Sequence, residues 1–114
     1  MSRRNDQTSL KDMLNHAQEA VELLGHASPE ELAANRVIQL ALTRLVEIIG
    51  EAANRVSQET RQQNGEIPWP QIIGMRNRLI HGYDVVDYDL LWHTITTDLP
   101  PLITALKNVI ETGK

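Results

Sequence analysis

The chain has 114 residues, no cysteine and no phenylalanine, 11 Lys and Arg against 15 Asp and Glu, and a formal net charge of −4. That length leaves no room for two independent cores, and the missing cysteine excludes disulfides, a cysteine-based zinc site and a thiolate nucleophile. No apolar run approaches the roughly 20 residues of a membrane span, and residues 1–7 lack the apolar stretch of a secretory signal. A single soluble, cytoplasmic domain over residues 1–114 is therefore expected, with residues 1–7 as a disordered tail.

Read in chain order, the pattern is helical throughout. Ser9-Leu10-Lys11-Asp12 resembles a capping box, and Leu10, Met13, Leu14, Ala17, Val21 and Leu24 share one apolar face that ends at Gly25. Ser28-Pro29-Glu30-Glu31 is a stronger start signal, with a hydroxyl cap, Pro at the first position and a Glu that can reach back. Val37, Ile38, Ala41, Leu42, Leu45, Ile48, Ile49, Ala52 and Val56 then predict one long amphipathic helix. Residues 57–67 turn polar and contain Asn64-Gly65, which predicts a loop. A short third helix is expected from about Pro70 to Ile80, stopped by Gly82. Asp87 caps a last helix carrying Leu90, Leu91, Ile95, Leu99, Ile103, Leu106 and Ile110. Pro100-Pro101 must kink or split that helix, because each lacks an N–H and clashes with the preceding turn. No stretch alternates with period two, so the expected fold is an all-α bundle of four main helices.

The charge pattern narrows the partners. A negative balance disfavours a broad phosphate-neutralising coat. Yet Arg outnumbers Lys by eight to three, and the planar guanidinium fork suits focused contacts with carboxylate or phosphate. The four aromatics, Trp69, Tyr83, Tyr88 and Trp92, fall within one stretch of 24 residues that also holds Arg76, Arg78 and His81. On the expected third helix, Arg76 shares a side with Ile72, Ile73 and Ile80, where a guanidinium calls for a carboxylate or a bound phosphate. Arg78, about 200° round, is the better solvated surface charge. Arg76 and His81 stand about 140° apart on an ideal helix, so they converge only if His81 lies in a loosening last turn or if two chains build the site. Asn77, four before His81, is placed to orient the imidazole, and a helix C-terminus favours its protonated form. Tyr83 follows the glycine with its hydroxyl available. Taken alone, these residues describe a helix cap with a structural ion pair better than they describe a catalytic site.

The segment Arg76-Asn77-Arg78-Leu79-Ile80-His81-Gly82-Tyr83 resembles the Arg-x4-His-x-Tyr motif of the HEPN superfamily, in particular the HepT-like toxins. Ile48-Ile49-Gly50-Glu51-Ala52-Ala53 resembles that family's second-helix segment. Ile67-Pro68-Trp69 leading into Gly74-Met75 resembles its lead-in, and Val86-Asp87 through Leu91-Trp92 and Leu99-Pro100 its closing helix. The resemblance implies an all-helical bundle and a metal-independent ribonuclease that needs no cofactor. It implies a homodimer paired with a nucleotidyltransferase antitoxin of the MNT type. Carried over, Arg76 and His81 would be the catalytic pair and Asn77 a support. Tyr83 would be an acceptor for AMP, an adduct whose bulk and charge would compete with RNA phosphate.

Other residues carry weaker signals. Glu51 borders the long helix's apolar stripe and is a candidate partner for Arg76, with a surface pair to Arg55 as the alternative. Gly50 in a helix interior costs about 1 kcal/mol relative to Ala, which close approach of another helix would explain. Asp84, Asp87 and Asp89 do not match a calcium-loop pattern, and Asp87 already has a capping role, so no metal is expected. Trp69, Tyr88 and Trp92 are expected to frame the short helix and its packing on the last one. A rival function is a non-catalytic dimeric module that docks a nucleotidyltransferase or binds nucleotide.

Overall fold

The structure, a computed structural model, describes residues 3–81 and 85–112, the side chains of Arg3, Arg4 and His81 excepted. Helix α1 (Arg3–Leu24) lies against α3 (Arg36–Arg55) and α8 (Leu99–Thr112), and these three elements supply most of the core. Their apolar stripes meet there. Leu10, Met13, Ala17 and Ala20 of α1, Leu42, Val46 and Ile49 of α3, and Leu99 and Leu106 of α8 are all fully buried. The all-α class expected from the periodicity holds.

Local capping chemistry accounts for several boundaries. Gly25 ends α1 with φ of +57°, a left-handed conformation that costs glycine little. Ser28 caps α2 (Pro29–Ala33): its hydroxyl accepts from the Glu31 amide, while the Glu31 carboxylate accepts from the Ser28 amide. Asp87 accepts from the Leu90 amide at 2.9 Å and caps α7 (Tyr88–His93).

Elsewhere tertiary contacts redraw the expected elements. Residues 3–7, expected as a tail, are the first turns of α1, and Ser9 is a buried residue inside that helix rather than its cap. Asp6 explains the extension. It is 4% exposed and accepts from the Ser57 amide at 3.0 Å, the Ser57 hydroxyl at 2.6 Å and the Thr60 hydroxyl at 2.6 Å. Ser57 in turn caps α4 (Gln58–Gln63), so the expected loop opens with a short helix pinned to α1. The long helix expected from Ser28 is interrupted at Ala34 and Asn35. Asn35 accepts from the Ile38 amide and restarts the chain as α3, while the buried Gln39 amide donates to the carbonyls of Leu32 and Ala33 at 2.8 and 2.9 Å.

The last helix is assembled from pieces, as the two prolines require, but the irregular turn precedes them. Residues Thr94–Asp98 form a π-helical segment between α7 and α8, with the Leu99 amide reaching back five residues to the Thr94 carbonyl. Widening the turn there absorbs the ring clashes of Pro100 and Pro101, which then sit in the first turn of α8, where missing N–H groups cost little. The tryptophans bind the connections: Trp92 donates to the Ala27 carbonyl at 2.8 Å, and the buried Trp69 donates to the Asn64 carbonyl at 3.1 Å.

Gly50 marks the contact between α3 and the third helical region. A Cβ there would lie 3.2 Å from the carbonyl oxygens of both Ile72 and Ile73, the close approach expected from a glycine in a helix interior. Gly50→Val is expected to lower stability by about 2 kcal/mol through overpacking against backbone that cannot swing away. In a thermal melt the midpoint falls by roughly 10 °C. An unchanged midpoint would contradict the close approach. No helix among the described residues is long and apolar enough to cross a membrane.

Candidate functional site

The expected third helix is two helices and a strand. Helix α5 (Trp69–Ile73) ends at Gly74, which also starts α6 (Met75–Leu79). The chain then leaves the helix: Ile80 takes extended dihedrals, and Ile80–His81 (β1) pairs antiparallel with Val85–Val86 (β2), Ile80 opposite Val86 and His81 opposite Val85. The Asp87 amide donates to the Leu79 carbonyl at 2.8 Å and continues the pairing to the end of α6.

This changes the geometry expected for the motif. His81 is not in a final helical turn, so the 140° separation from Arg76 on an ideal helix no longer applies. The same exit removes the helical face that Asn77 was expected to share with His81. Tyr83 lies outside the described residues, as does Asp84 of the acidic trio.

Arg76, on α6, finds the carboxylate it was expected to need, but from another residue. Its Nε lies 3.1 Å from Glu47 Oε2. Glu51, a candidate partner beside its alternative pair with Arg55, instead places Oε2 3.6 Å from Arg44 Nη1, two turns back on the same face of α3. Glu47 Oε1 also accepts from Arg44 Nη1 at 3.0 Å, so its two oxygens bridge two guanidinium groups. The sequence signal for Glu47 was its position four before Glu51 and three after Arg44, which puts all three on one stripe of α3. Arg76 is 45% exposed rather than drawn into the apolar face, and pairs of that kind contribute about 0–1 kcal/mol. The ion pair therefore positions Arg76 without locking it away from another anion.

Arg76 stands between two clefts. One, of about 260 Å³, is lined by Arg36, Thr43, Arg44 and Glu47 of α3, by Arg76, and by Val86 of β2. The other, of about 200 Å³, holds Glu47, Gly50, Glu51 and Asn54 of α3 with Arg76 and Asn77. Asn77 and Glu51 thus share the second cleft with Arg76, although neither is its ion-pair partner. Arg78 faces away and lines a separate, largely apolar groove between α5 and α8 with Asp98 near it, in keeping with the surface role expected for it. Among the described residues no group of three or more His, Asp or Glu side chains is arranged to hold a metal ion.

The pattern of the family described as Ribonuclease HepT-like matches residues 13–109, which span α3, both clefts and the Arg76–Tyr83 segment. The chain belongs to this HepT-like family. A Methanocaldococcus jannaschii protein named as a candidate RNase is 35% identical over 102 residues, covering 90% of this chain and 94% of its own. A Caldanaerobacter subterraneus protein named in the same way is 33% identical over 105 residues, covering 92% of this chain and 94% of its own. A Thermococcus cleftensis relative named "Probable ribonuclease HepT" is 37% identical over 98 residues, 82% of this chain and 89% of its own. No solved structure matches. The HepT-like assignment agrees with the all-helical fold and supports ribonuclease activity in general. Within this HepT-like chain, Arg76 is, among the described residues, the motif residue whose side chain meets both clefts.

Proposed function

We propose that the protein is a metal-independent endoribonuclease and the toxin component of a toxin–antitoxin pair, with Arg76 and His81 as its catalytic residues. The observation that carries this reading is the HepT-like match running through residues 13–109 in a chain whose Arg76 fronts an open cleft. The chemistry suits the pair. The ribose 2′-oxygen attacks the adjacent phosphorus as the bond to the 5′-oxygen breaks, leaving a 2′,3′-cyclic phosphate and a 5′-hydroxyl. His81 takes the 2′ proton or delivers one to the departing 5′-oxygen, and Arg76 stabilises the charge building on the phosphoryl oxygens. Departure of His81 from the helix supports this division of labour, since the two residues are no longer held on separate faces of one helix.

The same reading makes the active species a homodimer. Val85 is 63% exposed on β2, beside the motif segment, and a second copy would cover it. An MNT-type nucleotidyltransferase would neutralise the toxin by moving AMP from ATP to the Tyr83 phenol, with release of pyrophosphate. Two measurements test these points. Purified protein in EDTA is expected to cut RNA while His81→Ala does not; equal inertness of both proteins, free of AMP, refutes the ribonuclease and favours a non-catalytic binding module. Intact mass after incubation with the partner and ATP is expected to show AMP increments that vanish in Tyr83→Phe. Increments that persist in that variant exclude Tyr83 as the acceptor.

A further inference from the structure

The cleft on one side of Arg76 is basic and the cleft on the other is acidic. Arg36, Arg44 and Arg76 line the first, with Glu47 as the lining carboxylate among the described residues. Glu47 and Glu51 line the second, where Arg76 is the lining cation. A polyanion approaching Arg76 is attracted along the first and repelled along the second.

Glu47 also shows where an anion fits. One carboxylate reaches Arg44 through Oε1 and Arg76 through Oε2, at 3.0 and 3.1 Å. The two guanidinium heads, carried by different elements, therefore converge on a single anionic group. Arg76 uses Nε for this pairing, one of five N–H donors on a guanidinium. Arg36 lies eight residues before Arg44 on the same helix, about 12 Å away along its axis. The polar side chains between them are already committed to backbone: Thr43 donates to the Gln39 carbonyl, and Gln39 donates to Leu32 and Ala33. What the cleft offers beyond charge is aliphatic, from Leu40, Ile80 and Val86. Such a surface reads phosphates rather than base edges.

We propose that Arg36 and Arg44 form, with Arg76, a guanidinium track for the phosphodiester backbone of single-stranded RNA, which enters from the N-terminal half of α3. This rests on the ribonuclease reading above and adds to it the direction of the substrate and two residues that position it. A negatively charged protein thereby binds RNA through a few focused arginines.

The test uses full-length protein in EDTA and a single-stranded RNA whose 2′-hydroxyls are methylated, so that it binds without being cut. Fluorescence anisotropy across a salt series is expected to give Arg36→Gln and Arg44→Gln each a weaker affinity. For each phosphate that a variant no longer neutralises, the salt-dependence slope is expected to become shallower by about 0.7. With unmodified RNA, the double variant is expected to raise KM at least tenfold while kcat changes less than twofold. Arg55→Gln, at the far end of α3 and outside both clefts, is expected to match wild type. Circular dichroism melts coincident with wild type establish that the variants fold, and both arginines are exposed surface residues. If wild type cuts RNA but the double variant keeps its KM and salt slope, the track is overturned and the ribonuclease reading stands. If the slopes fall as expected but wild type cuts nothing, the track stands and the ribonuclease reading fails. Absence of RNA binding by wild type at low salt overturns the track outright.

Discussion

Arg76→Ala is expected to reduce the rate of RNA cleavage by at least about 10²-fold at saturating RNA, the scale forfeited when a donor aimed at developing negative charge is removed. The substitution should be nearly silent in stability, because the side chain is 45% exposed and its pair with Glu47 is the kind worth about 0–1 kcal/mol. Activity and folding are thus separable at this position. Arg76→Lys should recover only a small part of the rate, since an ammonium keeps the charge but loses the planar fork. Glu47→Gln distinguishes positioning from chemistry. Its carboxylate touches Arg76 and Arg44 rather than the reacting atoms, so kcat should change by less than tenfold. RNA affinity should rise, because a competing anion has been removed from between the two arginines. Single-turnover cleavage of a short labelled RNA in EDTA, at protein concentrations above saturation, measures the first effect. An Arg76→Ala protein that retains half the wild-type rate would place the chemistry elsewhere.

Asp6→Ala is expected to have the largest effect on stability of any single polar substitution, about 3 kcal/mol. The carboxylate is 4% exposed and accepts three hydrogen bonds, from the Ser57 amide and the hydroxyls of Ser57 and Thr60, which truncation would leave without their acceptor. The loss should travel, since the bonds tie the start of α1 to the start of α4. The same residue sets an acid response. Burial pushes the Asp6 carboxyl up, but the hydrogen bonds from Ser57 and Thr60 outweigh it and hold the pKa below the ordinary 3.8. Because the folded-state value lies below the unfolded one, the contribution of Asp6 is complete above pH 3.8 and is lost as pH falls through the folded pKa. Urea denaturation of wild type and Asp6→Ala should therefore show a stability gap that is constant near neutrality and narrows in strong acid. A gap that stays the same down to the lowest pH would show that the ionised carboxylate is not what holds the two helices.

The parts of the fold that were legible beforehand are those written in a few adjacent residues. Ser28 with Glu31, Asp87 before Leu90, and Gly25 after Leu24 each act on amides or dihedrals within four positions, so their meaning does not depend on the rest of the chain. The breaks were not legible in that way. The apolar stripe of α3 runs on from the pattern of α2, and the interruption at Asn35 shows only once Gln39 is seen donating to Leu32 and Ala33. Asp6 reads as one more acidic residue in a polar leader until Ser57, 51 positions away, closes on it.

The candidate site divides along the same line. Sequence by itself determined the all-helical class, the motif residues Arg76, Asn77, His81 and Tyr83, the need of Arg76 for an anionic partner, and the need of Gly50 for a close neighbour. Only the tertiary structure decided that the partner is Glu47 and not Glu51. Those two residues stand one helical turn apart on the same face of α3, and which turn meets α6 depends on how far one helix is shifted along the other. That offset is set by packing, here by the carbonyls of Ile72 and Ile73 seated over Gly50. Tertiary structure likewise decided that His81 belongs to a strand, because pairing with Val85 and Val86 supplies the backbone partners that another helical turn would have supplied. Composition counted the arginines, and packing gathered three of them around one cleft.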